Sequence, residues 1–491
     1  MARRLLVVVL HGAGPYYLEP LLAAGRLPVL ARLRDKGTSF VLRSPLPVAA
    51  GAWVTMFTGL PIGEHGVIDY VQMDARLYHG TTGRVVRASE YADRTTFAVL
   101  SRQGFEIAVI ALPMTWPGFP VRGIMISGFP MPDERRPATW PPELADTLPR
   151  FALQPLVSLR YEARKEIRSW IDHHIASVAG YALDCWRARR FDAIFACFAA
   201  PDIAHHFFWE YDAERVRASM FPVYEEVDRA LGRLLEAAGP DDMVIVHSDH
   251  GGGPAPHRVF GINRWLVEQG RLVPRLAHSA ALARPLNRAV QWAKRLRLNQ
   301  RLASIIRGRL RSGVASITQN TALMDWERST AYGMNFFYPL AGVEVNQRGR
   351  QARGIVPPGE PAEKLLKDIS ARLAELVDTR TGARVCRSIR PSRELFDGPY
   401  IDRFPDLIVE LHPDYDARTQ LTREVFEDNG MQWEYPYLGY HAREGIFMMA
   451  GPGVAAGRVG PAMEMIDVAP TILAALGVRA PAWMRGTPRY P

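Results

Sequence analysis

The most constraining feature of this chain is a recurring one: a short, uninterrupted run of β-branched and aliphatic residues that stops at a glycine or a polar pair. "LLVVVL" from Leu5 runs into "HGAG", and the pattern returns in "FEIAVIALP", "GIMISGF", "FDAIFACFAAPD", "DDMVIVHSDHGG", "FPDLIVELHP" and "GIFMMAGPG". Runs of this length without polar alternation read as strands buried on both faces, the habit of central parallel strands. Between them lie helical periodicities, "EPLLAAGRLPVLARLRDKG", "YEEVDRALGRLLEAAG" and "AEKLLKDISARLAELVD". Strand alternating with helix predicts an α/β fold with a doubly wound, mostly parallel central sheet and helices on both faces. Ligands of such sheets bind beyond the carboxyl ends of the strands, so the residues after each apolar run are the first candidates for chemistry.

Across 491 residues the chain is 48% hydrophobic and 23% charged, enough to bury a large core. No internal repeat and no clean linker divides it. The expectation is one α/β domain over residues 1–491, with insertions at about 129–165, around a proline-rich stretch, and at about 269–325. No apolar run approaches the roughly 18 to 20 residues that cross a bilayer, and "LLVVVL" is too short for a secretory signal. Three scattered cysteines, Cys185, Cys197 and Cys386, argue against a disulfide framework and for a reducing compartment, so a cytoplasmic location is expected.

The net charge of +9 is concentrated: no Asp or Glu stands between Glu268 and Asp325, while Arg and Lys crowd residues 271–311. That stretch has apolar residues near helical spacing. It reads first as a solvated helix snorkelling its arginines over its own domain, and second as a basic helix lying on an anionic membrane surface, which would make the protein peripheral there. Nucleic acid ranks below both.

Candidate metal ligands stand at four strand ends or regions. They are His11 in "VLHGAG"; Asp202, His205 and His206 in "PDIAHHFFWEY"; His247, Asp249, His250 and His257 in "HSDHGGGPAPHR"; and His441 in "GYHAREGIF". Neutral imidazole and carboxylate ligate zinc, and paired divalent ions can clamp the oxygens of a phosphoryl centre. For His205, His247 and His257 an ordinary capping or packing role is the better reading. Asp202 and His206, spaced Asp-x-x-x-His, fall on one face where a strand end enters a helix. The adjacent Asp249 and His250 before three glycines are the stronger signal, since such a stretch has little packing value. Trp116, Phe207, Phe208 and Trp209 are core aromatics that could instead stack on a ligand.

Together with "AWVTMFTGLPIGEHGVIDY", "PMTWPGFPVRGIMISGF", "GINRWLVEQGRL", "VEVNQRGRQARGIVPPGE", "FPDLIVEL" and "IDVAPTILAALGV", these motifs resemble, in order and spacing, the alkaline phosphatase superfamily and its type I phosphodiesterase/nucleotide pyrophosphatase branch. The resemblance implies that Asp202, His206 and His441 hold one divalent metal and that Asp249 and His250 hold another. In the family the second site is completed by an aspartate after the first strand and by a Thr or Ser nucleophile. Here His11 and Ala49 stand in those places. Imidazole for carboxylate keeps a ligand, favouring zinc over magnesium, with one or two ions bound. Methyl for hydroxyl closes the covalent route, and neither Ser44 nor Thr55 is placed to substitute.

Two readings follow. In the first, the protein is a metal-dependent phosphodiesterase or phosphohydrolase acting on a phosphoester or related anionic ester through hydroxide on the metal. In the second, it is an inactive relative that binds a phosphorylated ligand, or a partner or membrane through its basic segment.

Overall fold

The computed structural model describes residues 3–46, 49–78, 80–131, 137–148, 164–209, 213–275, 323–334, 339–429 and 439–490. At its centre is a ten-stranded sheet. Its order is Arg458–Val459, Thr38–Arg43, Glu444–Ala450, Met243–His247, Leu5–Leu10, Ala193–Phe198, Ile107–Leu112, Gly123–Ser127 and Thr139–Trp140, with Met463–Glu464 also paired to Thr38–Arg43. The run from Met243–His247 to Gly123–Ser127 is parallel throughout. Glu444–Ala450 and Thr139–Trp140 run antiparallel to their neighbours.

Leu5–Leu10 shows why the apolar runs do not alternate. Leu6, Val8 and Leu10 enter one hydrophobic cluster, with residues of helices Pro15–Ala23, Arg164–Arg187, Ala200–Phe208 and Ala213–Glu236. Leu5, Val7 and Val9 enter the other, with residues of Ala49–Thr58, Thr96–Arg102 and Val468–Ala475. Helices therefore cover both faces, and every side chain of the strand is buried. The mostly parallel α/β architecture agrees with the sequence reading.

One strand lies elsewhere than expected. Leu407–Leu411, from "FPDLIVELHP", belongs to a separate four-stranded antiparallel sheet, in the order Ala331–Met334, Leu340–Val345, Leu407–Leu411 and Cys386–Pro391. Its Leu407, Val409 and Leu411 pack into one cluster and Ile408 into another. Two-sided burial makes its sequence indistinguishable from that of a central parallel strand. Part of the proposed insertion at 129–165 supplies the edge strand Thr139–Trp140. Most of the basic stretch expected at 269–325 lies outside the described residues. No described helix is long and apolar enough to cross a membrane.

Candidate metal centre

The first strand delivers His11 one residue past its end, where the His11 N–H still bonds to Phe198 O at 3.1 Å. Gly12 then turns the chain with a φ of 72°, a backbone that favours glycine. A Cβ there would also lie 2.9 Å from Asp202 Oδ1. Freed of a side chain, Gly12 donates its N–H to Asp249 Oδ1 at 3.1 Å. Asp202 sits in the first turn of helix Ala200–Phe208, just beyond strand Ala193–Phe198, and His206 follows one turn later on the same face.

The third strand, Met243–His247, leads through Ser248, Asp249 and His250 into Gly251–Gly253. That segment pairs antiparallel with Tyr440–Ala442, placing Gly252 opposite His441. The glycines are required by close approach: a Cβ would lie 2.1 Å from Glu444 O at Gly251 and 2.0 Å from His205 Nδ1 at Gly252. This small ladder carries His441 to the ends of the parallel strands.

Two sets of donors converge there. His11 Nε2 and His250 Nε2 each lie 3.2 Å from Asp249 Oδ2. Asp202 lies 3.5 Å from both His206 Nε2 and His441 Nε2, which are 3.2 Å apart. His250 is shared ground, because its donor also falls within 4.8 Å of those of Asp202 and His441, and its ring stacks on that of His441 at 3.8 Å. His11 reaches towards both carboxylates, with Asp202 Oδ2 at 3.8 Å. Two imidazoles are oriented through their other nitrogen. His206 Nδ1 and His250 Nδ1 meet the carbonyls of Gly439 and Gly251 at 3.1 and 2.9 Å. A carbonyl only accepts, so Nδ1 carries the proton and Nε2 of the neutral ring presents its lone pair to the pocket.

The electrostatics are those of a dry pocket. Burial alone would lower the pKa of His11, but the Asp249 and Asp202 carboxylates outweigh it and raise it to about 9. Burial lowers His250 to about 4 despite the nearby Asp249. Burial would raise Asp249, yet His11 and His250 hold it down at about 2. His11 Nε2, Asp202 Oδ1, Asp249 Oδ2 and His250 Nε2 are buried without a hydrogen-bond partner among the described residues. Buried polar atoms are nearly always satisfied. Four orphans aimed at one pocket fit a cation.

The other candidates lie apart from these sets. His205 bonds to Tyr224 Oη at 2.7 Å and stacks on Tyr17, and His247 stacks on Phe447. His257 is exposed. Phe207, Phe208 and Trp209 are core residues, and Trp116 packs against the same cluster. Ala49 begins helix Ala49–Thr58. Of the neighbouring hydroxyls, Ser44 Oγ donates to Leu46 O, and Thr55 Oγ1 bonds to His65 Nε2 at 3.0 Å.

Two residues at the pocket were missed by the sequence reading. The Trp53 ring meets His11 edge-on at 5.4 Å. Burial, then the charges of Asp202 and Asp249, push the Tyr70 phenol well above its usual pKa. Neither follows an apolar strand run, which was the signal that found the others except His441.

Comparison with known proteins bears on the fold and the family. No curated protein matches the chain. Among solved structures, an inactive form of murine ectonucleotide pyrophosphatase/phosphodiesterase 5 in complex with AMP aligns over 99% of this chain and 97% of its own, at 14% identity and a TM-score of 0.53. Phosphonoacetate hydrolase from Sinorhizobium meliloti 1021, in complex with phosphonoacetate, aligns over 95% and 94% at 16% identity and a TM-score of 0.54. These likenesses establish the fold. The family model for type I phosphodiesterase / nucleotide pyrophosphatase matches residues 5–435, and the chain belongs to that family.

Proposed function

We propose that the protein is a metal-dependent phosphohydrolase acting on a phosphoester or a related anionic ester without a covalent Thr or Ser nucleophile. The observation that carries this reading is the set of four buried orphan atoms on His11, Asp202, Asp249 and His250. Asp202, His206 and His441 would hold one ion, and His11, Asp249 and His250 a second. Donors about 2.0–2.1 Å from a tetrahedral ion stand about 3.3 Å apart, against about 2.9 Å around an octahedral magnesium ion. A donor set rich in imidazole favours the former. Zinc is the metal we propose.

When bound, such ions supply electrophilic stabilisation of phosphoryl oxygens and acidify water. The chain's own residues do the rest. Gly12 N–H fixes one oxygen of Asp249 so that the other faces His11 and His250. The carbonyls of Gly439 and Gly251 set the rings of His206 and His250. Trp53 braces His11 from the side of helix Ala49–Thr58.

The second reading, ligand binding without turnover, draws support from Ala49 and from the engagement of Ser44 and Thr55 in their own hydrogen bonds. The murine neighbour, solved in an inactive form with AMP, is a precedent for this fold holding a nucleotide without acting on it. Metal analysis combined with assays on p-nitrophenyl phosphate and bis(p-nitrophenyl) phosphate separates the readings. The hydrolase reading expects bound metal and turnover that a chelator abolishes, with Ala49→Ser raising the rate. Bound metal without turnover on phosphate esters leaves the binding reading, and a folded protein that takes up no metal overturns both.

A further inference from the structure

We propose that this site selects a dianionic terminal phosphoryl or phosphonyl group, as in a phosphate monoester or a phosphonate, over a monoanionic phosphodiester. The proposal rests on the two-ion reading above and deepens it. The six donors comprise two carboxylates, Asp202 and Asp249, and four imidazoles, His11, His206, His250 and His441. Imidazole ligates as a neutral group, so among the chain's own donors only the two carboxylates carry charge, leaving two positive charges of two divalent cations to be met by hydroxide or by a bound anion that displaces it.

The surroundings do little to offset that excess. The Ala49, Ala50, Gly51 and Ala52 stretch that opens the neighbouring helix carries no ionisable group. Asp416 is engaged by Tyr440 Oη at 3.1 Å and by Arg418 at 4.0 Å. The donors are also shielded from water: Asp249 and His250 are 0% exposed, and His11 and Asp202 are 6% exposed. In such a pocket residual charge is weakly screened, so each unit of ligand charge counts for more than it would at the surface. A dianion balances the excess. A monoanion leaves one unit behind, and a diester adds a second substituent without adding charge.

The test is calorimetric titration of zinc-reconstituted protein, with its metal content measured, at pH 8.5. The probes are phenylphosphonate, a dianion, and its monomethyl ester, a monoanion of nearly the same shape; neither has to be turned over. Phenylphosphonate is expected to bind at least about tenfold more tightly. His11→Asp adds one carboxylate to the donor set and should reduce that ratio at least about threefold with the metal content unchanged. Equal or tighter binding of the monoester to protein carrying two ions overturns the proposal, as does a ratio that His11→Asp leaves unmoved. Should that variant not fold, the wild-type ratio decides alone. A metal content near zero defeats the underlying metal reading instead, and is visible before any ligand is added.

Discussion

Two buried polar clusters in this molecule follow opposite rules. In the four-stranded sheet, Glu344 is 0% exposed and every oxygen it carries is answered. Oε1 receives Arg350 Nη2 at 2.9 Å and Gln351 Nε2 at 3.0 Å, and Oε2 receives the Asp406 N–H at 2.9 Å. Arg350 also forks onto Asp406 at 2.8 and 2.6 Å. At the ends of the parallel strands, carboxylates and imidazoles of similar burial crowd together at 3.2–3.8 Å, and four of their atoms make no hydrogen bond among the described residues beyond these ion pairs. A polar cluster that closes on itself is a structural device; one that stays open at considerable cost is a receptacle. The difference separates architecture from function here more clearly than burial or charge does.

The largest effect should come from opening the closed cluster. Arg350→Leu leaves Glu344 buried with its principal counter-charge gone, and about 3–5 kcal/mol of stability should be lost in chemical denaturation. Adding Glu344→Gln should recover a substantial part of that loss. A single-variant loss below about 1 kcal/mol would show that the cluster is not the closed unit described.

Next comes the backbone that frames the open cluster. Gly252→Ala sets a methyl 2.0 Å from His205 Nδ1, and the repacking should cost about 1–3 kcal/mol. Metal affinity should fall with it, since the ladder holding His441 must shift. Unchanged stability and metal affinity would remove the close-approach argument.

Acid should then weaken the helical side of the central sheet. Val67 N–H donates to His65 Nδ1 at 3.1 Å, leaving Nε2–H to face Thr55, so the ring is held neutral. Burial, with Arg94 nearby, lowers its pKa to about 3. The unfolded chain takes up a proton near its ordinary 6.5 while the folded one does not, so stability is lost as pH falls from that value towards about 3. The contribution is at most about 1.4 kcal/mol per pH unit. Urea midpoints between pH 7 and 4 should fall less steeply in His65→Gln than in the parent, and equal slopes would reject the assignment.

The smallest stability change should come from the open cluster itself. Asp249→Asn keeps an acceptor for Gly12 N–H but takes away the carboxylate that holds the proton on His11; that proton can leave, so in metal-free protein the loss should stay below that of Arg350→Leu. The same substitution should abolish part of the rise in Tm that added zinc produces in the parent. A large loss in metal-free protein would place Asp249 with Glu344, as structure.

What could be read from the sequence divides along the same line. The parallel strands were legible because two-sided burial writes itself as unbroken apolar runs, and all the candidate ligands but His441 were legible because they follow those runs directly. Leu407–Leu411 was misplaced for the same reason, since a strand buried on both faces carries no mark of which sheet it joins. The Glu344, Arg350 and Asp406 cluster left no local signal: its members lie far apart in sequence and meet only through strand register. Trp53 escaped because a helix, rather than a strand end, brings it to His11.

Metal stoichiometry is the decisive measurement. Protein stripped with a chelator and reloaded with zinc, then quantified by plasma mass spectrometry, should retain two ions per chain, dropping to one in Asp249→Asn. Folded protein that retains none, or an Asp249→Asn variant that retains as many as the parent, would contradict the assignment of the open cluster as a divalent-metal centre.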